Sequence, residues 1–241
     1  MLTIVSGANQ TFFPCLKQLL DNLNKYSEGI RIVIYDLGLK TDQKIILEER
    51  NPNFIWEQLN YSQYPDHVKV SDYHQCSYAF KAVVIFEACQ KYGGFLAWFD
   101  SSVLFQKDFS ELLAILRNNS LYSPRSRRTI GQMTHPGTLL YFNLKSKDYS
   151  KKILRLNERH SGLIGINYNL KWCQDLIREW KDLSLIKDCI TPDGSNRDNH
   201  RQDQSIWSLL FYKYQRRHKF KIINNFINFT VHNKEVLEHL S

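Results

Sequence analysis

Apolar and polar positions along the first hundred residues alternate between two periods. Short apolar runs ("LTIVS" at 2–6, "IRIVIYD" at 30–36, "NFIWEQL" at 53–59 and "FLAWFD" at 95–100) alternate with stretches of helical spacing. The first such stretch carries Leu16, Leu19, Leu20 and Leu23; the second covers about 42–50 and the third about 77–92. Short apolar strands alternating with helices predict parallel β-α-β units. Beyond residue 100 the rhythm loosens. Strands are expected at 120–124, 138–143, 163–167 and 219–223, and helices at about 148–158, 169–182 and 202–215. A last short strand falls in "FTVHN" (229–233). No linker, repeat or break in composition divides the chain, so a single α/β domain over 1–241 is expected.

In parallel β-α-β units the crossovers are right-handed and ligands bind beyond the carboxyl ends of the strands. That rule gathers four loops on one edge of the sheet. They follow Ser6 ("SGANQT"), Tyr35-Asp36 ("YDLG"), the third strand, and Asp100 ("DSS"). The helix after the third strand starts on the same edge, with His74, Tyr78 and Lys81 at i, i+4 and i+7 on one stripe.

Composition narrows the class. Of 241 residues, 43% are hydrophobic and 23% charged, which is globular rather than disordered. A formal net charge of +8 favours anionic partners: nucleotides, phosphates, acidic glycans, nucleic acid or an acidic membrane surface. A surface that is basic without consequence accounts for the same number. Apart from "SPRSRR" (123–128), read as a loop, the basic residues look dispersed, so nucleic-acid binding ranks last. Five scattered cysteines without a C-x-x-C pair read as buried thiols in a reducing compartment. No apolar run reaches membrane-spanning length and the chain starts without a signal peptide, so a cytoplasmic location is expected.

Several residues could carry chemistry. Asp100 ends an apolar strand, where a carboxylate can hold Mg or Mn against a phosphate or simply cap a turn. Lys81 sits in the otherwise apolar "AFKAVVIF", either meeting a diphosphate near a helix start or reaching to solvent. Gly162 and Gly165 bracket a strand in "HSGLIGIN" and permit close approach of a ligand or another backbone. In "CITPDGSNRDNHRQDQS" (189–205), Asp203 opens a helix beside Arg197, His200 and Arg201. It either caps that helix or points into a site where the basic groups keep it ionised. His232 follows the last strand, and imidazole suits several transition-metal ions.

"VIYDLGL", "YAFKAVVIFEA", "LAWFDSS" and "CITPDGSNRDNHRQDQS", in this order, resemble a domain-of-unknown-function family related to the GT-A-type glycosyltransferases, the nucleotide-diphospho-sugar transferases. The resemblance implies a GT-A-like α/β fold. It would have a Rossmann-like nucleotide-sugar-binding half over about 1–105 and an acceptor-side half over about 106–241, on a central, mostly parallel mixed sheet flanked by helices. It implies donor contacts at Ser6, Tyr35, Asp36, Tyr78, Lys81, Asp100 and Ser102, and acceptor contacts at Gly162, His200, Arg201 and Gln204. Asp203 would be the acidic residue facing the acceptor, the base that takes the acceptor proton if the reaction inverts the anomeric centre and an orienting group if it retains it; Asp100 with His232 would bind a divalent cation, Mn or Mg. The sequence departs from the family pattern in one place: the acidic motif has one carboxylate, Asp100, and then Ser101 and Ser102.

The expected activity is transfer of a sugar from a nucleotide-diphosphate donor to a hydroxyl of a glycan or other acceptor. Lys81, a metal at Asp100, and Arg197 or Arg201 would stabilise the departing diphosphate. The alternative is a catalytically silent glycan- or nucleotide-binding protein, for which the missing second acid would be the signature. "SPRSRR" would flank the acceptor site or touch an anionic membrane surface, a peripheral contact.

Overall fold

The computed structural model describes residues 1–70, 76–142 and 147–231, with the side chains of 147–150 and 231 excepted. The first hundred residues fold as their periodicity predicts. β1 (Leu2–Ala8), α1 (Phe13–Leu23), β2 (Arg31–Asp36), α2 (Thr41–Arg50), β3 (Ile55–Gln58), α3 (Ala79–Tyr92) and β4 (Phe95–Phe99) follow one another in order. Pro14 in the first turn of α1 fits the helix start, where its missing N–H costs nothing. Leu16, Leu19, Leu20 and Leu23 of that helix are all completely buried, each contributing roughly 1.5–3 kcal/mol of apolar burial. α3 is buried over almost its whole first half and packs on α8, the helix of residues Lys171–Ser184. That explains why its sequence shows no polar face.

The second half continues with β5 (Val103–Phe105), α4 (Ser110–Asn119), β6 (Leu121–Tyr122), β7 (Arg125–Thr129), α5 (Ile130–Met133) and α6 (Pro136–Leu139). α7 (Lys147–Leu154), β8 (Asn157–Arg159), β9 (Leu163–Asn167) and α8 come next. α9 (Lys187–Ile190), α10 (Asp203–His218) and β10 (Phe229–Val231) complete the order. The main sheet has six strands in the order β3-β2-β1-β4-β9-β6. β1 to β4 are mutually parallel, while β9 runs antiparallel to both β4 and β6. Two antiparallel pairs, β5 with β10 and β7 with β8, stand apart from it. The central mixed, mostly parallel sheet flanked by helices matches the expected fold class. Apolar side chains cover both its faces, with Val5, Val33 and Trp98 in one cluster and Ile4, Ile34 and Phe99 in the other.

Four expectations need correction. The strand expected at 138–143 is helical, formed by α6 and a 3₁₀ turn at Leu140–Phe142, because His135 caps and Pro136 starts a helix there. No strand forms at 219–223. Phe220 is buried there against Trp172 and Phe211, while the carbonyl of Ile223 accepts from the Arg159 guanidinium instead of a ladder. The helix expected at 148–158 ends at Leu154, and 157–159 is β8. "SPRSRR" is largely a strand, β7, rather than a loop. All five cysteines are buried free thiols, and no helix among the described residues is long and apolar enough to cross a membrane.

Leu20→Ala should cost about 2–5 kcal/mol in urea unfolding, because it opens a cavity under β1 and β2. Leu140→Ala, at a side chain 82% exposed, should leave the midpoint within about 0.5 kcal/mol of the parent.

Candidate active site

Beyond the carboxyl ends of β1 and β4, the starts of α3 and α10 close over a cavity of about 270 Å³. Gly7 to Asn9, Leu37, Tyr78, Phe80 and Lys81 line one side of it. Asp100 to Ser102 and His160 to Gly162 form its floor, and Ser126, Arg128, Glu158, Arg197 and Arg201 to Gln204 form the other wall. Of the residues singled out in the sequence, Tyr78, Lys81, Asp100, Ser102, Gly162, Arg201, Asp203 and Gln204 meet here.

The centre of the cavity wall is the ammonium group of Lys81. Its Nζ lies 3.0 Å from Asp100 Oδ1 and 3.2 Å from Asp203 Oδ2, so one cation bridges two carboxylates from different elements. The Lys81 side chain is only 4% exposed, Asp203 5% and Asp100 34%. Burial by itself would push Lys81 toward its neutral form, but the two carboxylates outweigh it and hold the amine above its ordinary value. Asp203 moves upward as well, because burial penalises its charge more than Lys81 relieves it. Its Oδ2 is buried against the ammonium, and hydrogen bonding with Ser161 and Lys81 works against that rise without cancelling it. A role confined to its own helix start does not account for a carboxylate paired with a lysine from another helix.

Neighbours fix both carboxylates. Trp98 donates its indole N–H to Asp100 Oδ1 at 2.7 Å, and the Asp100 amide donates to the Gly162 carbonyl at 2.9 Å. A Cβ at Gly162 would stand 2.6 Å from Asp100 Oδ2, so only glycine lets the carboxylate lie against this strand. Trp180 donates its indole N–H to the Asp203 carbonyl at 3.3 Å. Both helices that aim charged groups at the site begin from a residue with positive φ, Tyr78 at 57° and Gln202 at 43°. Side chains rarely adopt this backbone, which costs on the order of 1–3 kcal/mol at each position.

Sequence reading missed Glu158, a buried carboxyl in the wall. Its Oε2 accepts from Gln204 Nε2 at 2.9 Å, and Gln204 Oε1 in turn accepts from the Ser161 amide at 3.4 Å. Burial pushes the Glu158 carboxyl up to about 8, against the hydrogen bond from Gln204 and the charge of Arg201. Glu158 lay in a presumed helix end, and its three-residue strand is too short to show a period. Trp98 was legible in principle: it stands two residues before Asp100, on the same face of the strand.

Four expected contacts lie elsewhere. Ser6 is fully buried and its hydroxyl donates to the Phe99 carbonyl at 2.7 Å, tying β1 to β4 rather than facing the cavity. Tyr35 is buried beneath the site. Asp36 accepts the amides of Gly38 and Leu39, both at 2.9 Å, and so shapes the loop that carries Leu37 to the wall. His200 is completely buried outside the cavity. Its Nδ1 accepts from the His135 amide at 3.3 Å and its Nε2 reaches the Ile190 carbonyl at 2.9 Å; burial outweighs the upward pull of the Ile190 contact and pushes its pKa down to about 4. It pins the 190s loop instead of meeting an acceptor. His74 and His232 lie outside the described residues.

Among the described residues, no group of three or more His, Cys, Asp or Glu side chains is placed to hold a metal ion. The acidic element supplies one carboxylate whose oxygens already face an indole N–H and an ammonium, with Ser101 and Ser102 beside it. His232, the other expected ligand, lies outside the described residues, and a divalent cation held here would draw on Asp100 together with substrate phosphates and water.

The galactosyltransferase LgtC, solved with donor and acceptor sugar analogues, shares the fold with a TM-score of 0.56 at 15% identity. The likeness covers 96% of this chain and 87% of that one. Mouse xyloside xylosyltransferase 1 gives 0.54 at 12% identity, over 93% and 84% of the two chains. The bifunctional glycosyltransferase WbbM gives 0.56 at 14%, over 93% of this chain but 38% of its own. The fold is that of the GT-A glycosyltransferases. In sequence, the model of a family described as "Protein of unknown function (DUF1647)" matches residues 1–86, which include "VIYDLGL" and most of "YAFKAVVIFEA". The two later motifs lie beyond that match. No curated protein matches the sequence significantly.

Lys81→Met should destabilise the fold by about 3–5 kcal/mol, because it strands two carboxylates around an apolar group. Adding Asp203→Asn should restore part of that loss, as measured by urea unfolding. The buried Glu158 carboxyl favours the folded state fully below the ordinary carboxyl range and loses that contribution as pH rises through about 8. Glu158→Gln should therefore raise the melting temperature most above pH 8 and least near pH 5, by about 2–4 °C for each kcal/mol recovered.

Proposed function

We propose that the protein is a glycosyltransferase that moves a sugar from a nucleotide-diphosphate donor to a hydroxyl of a glycan or related acceptor. The observation that carries this reading is the Lys81 ammonium that bridges Asp100 and Asp203, 3.0 and 3.2 Å away, on the wall of a cavity also lined by Arg128, Arg197 and Arg201. Carboxylates held in this way accept hydrogen bonds from sugar or acceptor hydroxyls and orient them at the reacting carbon. The GT-A fold supports the choice of donor class. The anomeric C–O bond to the diphosphate breaks, a C–O bond to the acceptor oxygen forms, and the hydroxyl proton is released.

Lys81 serves this reaction differently from its sequence-based expectation. Its charge is spent on Asp100 and Asp203, so it positions carboxylates instead of meeting the diphosphate. Charge developing on the departing diphosphate falls to Arg128, Arg197 and Arg201, which line the same cavity. Arg197 also donates to the Tyr78 hydroxyl at 3.4 Å, which places its guanidinium near the start of α3. Gln204, clamped between Glu158 and Ser161, presents a fixed carboxamide beside the transferred sugar. A second reading, a silent sugar-nucleotide or glycan binder, draws on Ser102, which stands where the family pattern has a second acid.

A panel of nucleotide-diphosphate sugars, each at about a hundred times its dissociation constant, should include one that stabilises the fold by ~2.7 kcal/mol. That shift should persist in EDTA, since guanidinium groups meet the diphosphate; a shift seen only with Mn would require a cation site completed outside the described residues. Asp203→Asn should lower transfer by about a hundredfold or more while keeping most of the donor-induced shift. Absence of a shift with every nucleotide and sugar nucleotide would sink the proposal. Binding without donor turnover would leave the silent binder.

A further inference from the structure

The net charge of the protein is concentrated in one stretch. Residues 120–156 hold eight Lys or Arg and a single acid, Asp148, a net of +7 in a chain whose total is +8. The other 204 residues are close to neutral. The basic residues are therefore less dispersed than a first scan of the sequence indicates.

The fold brings this charge to one surface. Arg125, Arg127 and Arg128 are exposed on β7, and Lys151, Lys152 and Arg155 are exposed on and just after α7. The two elements are joined at their ends: the Ile130 amide donates to the Leu156 carbonyl at 2.8 Å, and Asn157 donates to the Arg127 carbonyl at 3.1 Å. None of these six cations forms an ion pair among the described residues. Unneutralised charges at this density create a positive potential that attracts a polyanion.

β7 connects this surface to the reactive cavity. Side chains alternate across a strand, and Ser126 and Arg128 line the cavity while Arg125 and Arg127 point the other way. A chain that reaches Asp203 past Arg128 would continue over the outer arginines toward Lys151 and Lys152. We propose that the β7–α7 surface binds the anionic groups of an acidic oligosaccharide acceptor and feeds its end into the cavity. This rests on the glycosyltransferase reading and names its acceptor class: a glycan carrying carboxylate or sulfate groups. Continuity with the cavity selects a glycan over a lipid surface. The apolar side chains of α7, Ile153 and Leu154, are turned inward against Ile130. Leu140, Tyr141 and Leu156 are exposed large apolar side chains nearby among the described residues, which makes vesicles a necessary arm of the test.

The experiment uses the full chain with four probes: a hyaluronan hexasaccharide, a heparin hexasaccharide, a neutral chitin hexasaccharide, and vesicles of phosphatidylserine in phosphatidylcholine. The acidic hexasaccharides should bind, with affinity falling about tenfold or more between about 50 and 200 mM salt, while the neutral chain binds weakly. Arg127→Glu with Lys152→Glu, both outside the cavity, should weaken acidic binding by about tenfold or more with an unchanged melting temperature. The shift caused by a nucleotide-sugar donor should be the same in the variant and the parent. Equal binding of neutral and acidic chains, parental affinity in the double variant, or vesicle binding without acidic-glycan binding would each overturn the proposal. Acidic-glycan binding in a protein that responds to no donor would instead refute the transfer reading and keep the surface.

Discussion

One buried ammonium group holds the site together. Lys81 comes from a helix start, Asp100 from a strand end and Asp203 from a helix more than a hundred residues later. Without that cation, two carboxylates would face each other at low dielectric and at least one would take up a proton. With it, each carboxylate has a cation within 3.2 Å. The pair is a poor device for raw stability, because desolvating three charges offsets most of their attraction. It is better understood as a constraint on geometry that a substrate can use.

The surrounding backbone follows from that constraint. Tyr78 and Gln202 take conformations that side chains disfavour, and each immediately precedes the helix whose first turn supplies Lys81 or Asp203. Gly162 gives up its side chain to let Asp100 approach. Trp98 and Trp180 spend their indole N–H groups on Asp100 and on the Asp203 carbonyl. Two disfavoured conformations, one absent side chain and two tryptophans thus serve three charged groups. Strain of this sort persists where the rest of the fold over-determines it, and here two apolar clusters, one on each face of the sheet, provide that support.

The sequence carried the parallel half plainly, because each strand there is a short apolar run and α1 has one apolar face. It carried less of the second half. β7 reads Arg-Ser-Arg-Arg-Thr and has no hydrophobic period to detect. "TLLYFN" looked like a strand by composition, although Pro136 two residues earlier already marked a helix start. "KFKII" buries Phe220 as a strand would, yet its backbone finds no partner ladder. In the site, the rule for strand ends brought Asp100 and Lys81 to one edge, and the family resemblance added Asp203. The rule could not separate residues that line the cavity from those that brace it, since Ser6, Asp36 and His200 have the same polar chemistry and differ only in direction. Glu158 was hidden because a carboxylate buried by tertiary packing leaves no local mark.

The spacing of the bridged residues also sets the order in which the molecule can mature. A chain emerging during synthesis presents Lys81 and Asp100 roughly a hundred residues before Asp203. Until α10 docks, the ammonium has one partner, and the wall that α10 supplies to the cavity is missing. Contacts closed over so long a loop form late, after the local β-α-β units have settled. The site is therefore absent from partly folded chains, and its appearance coincides with the final closure of the fold.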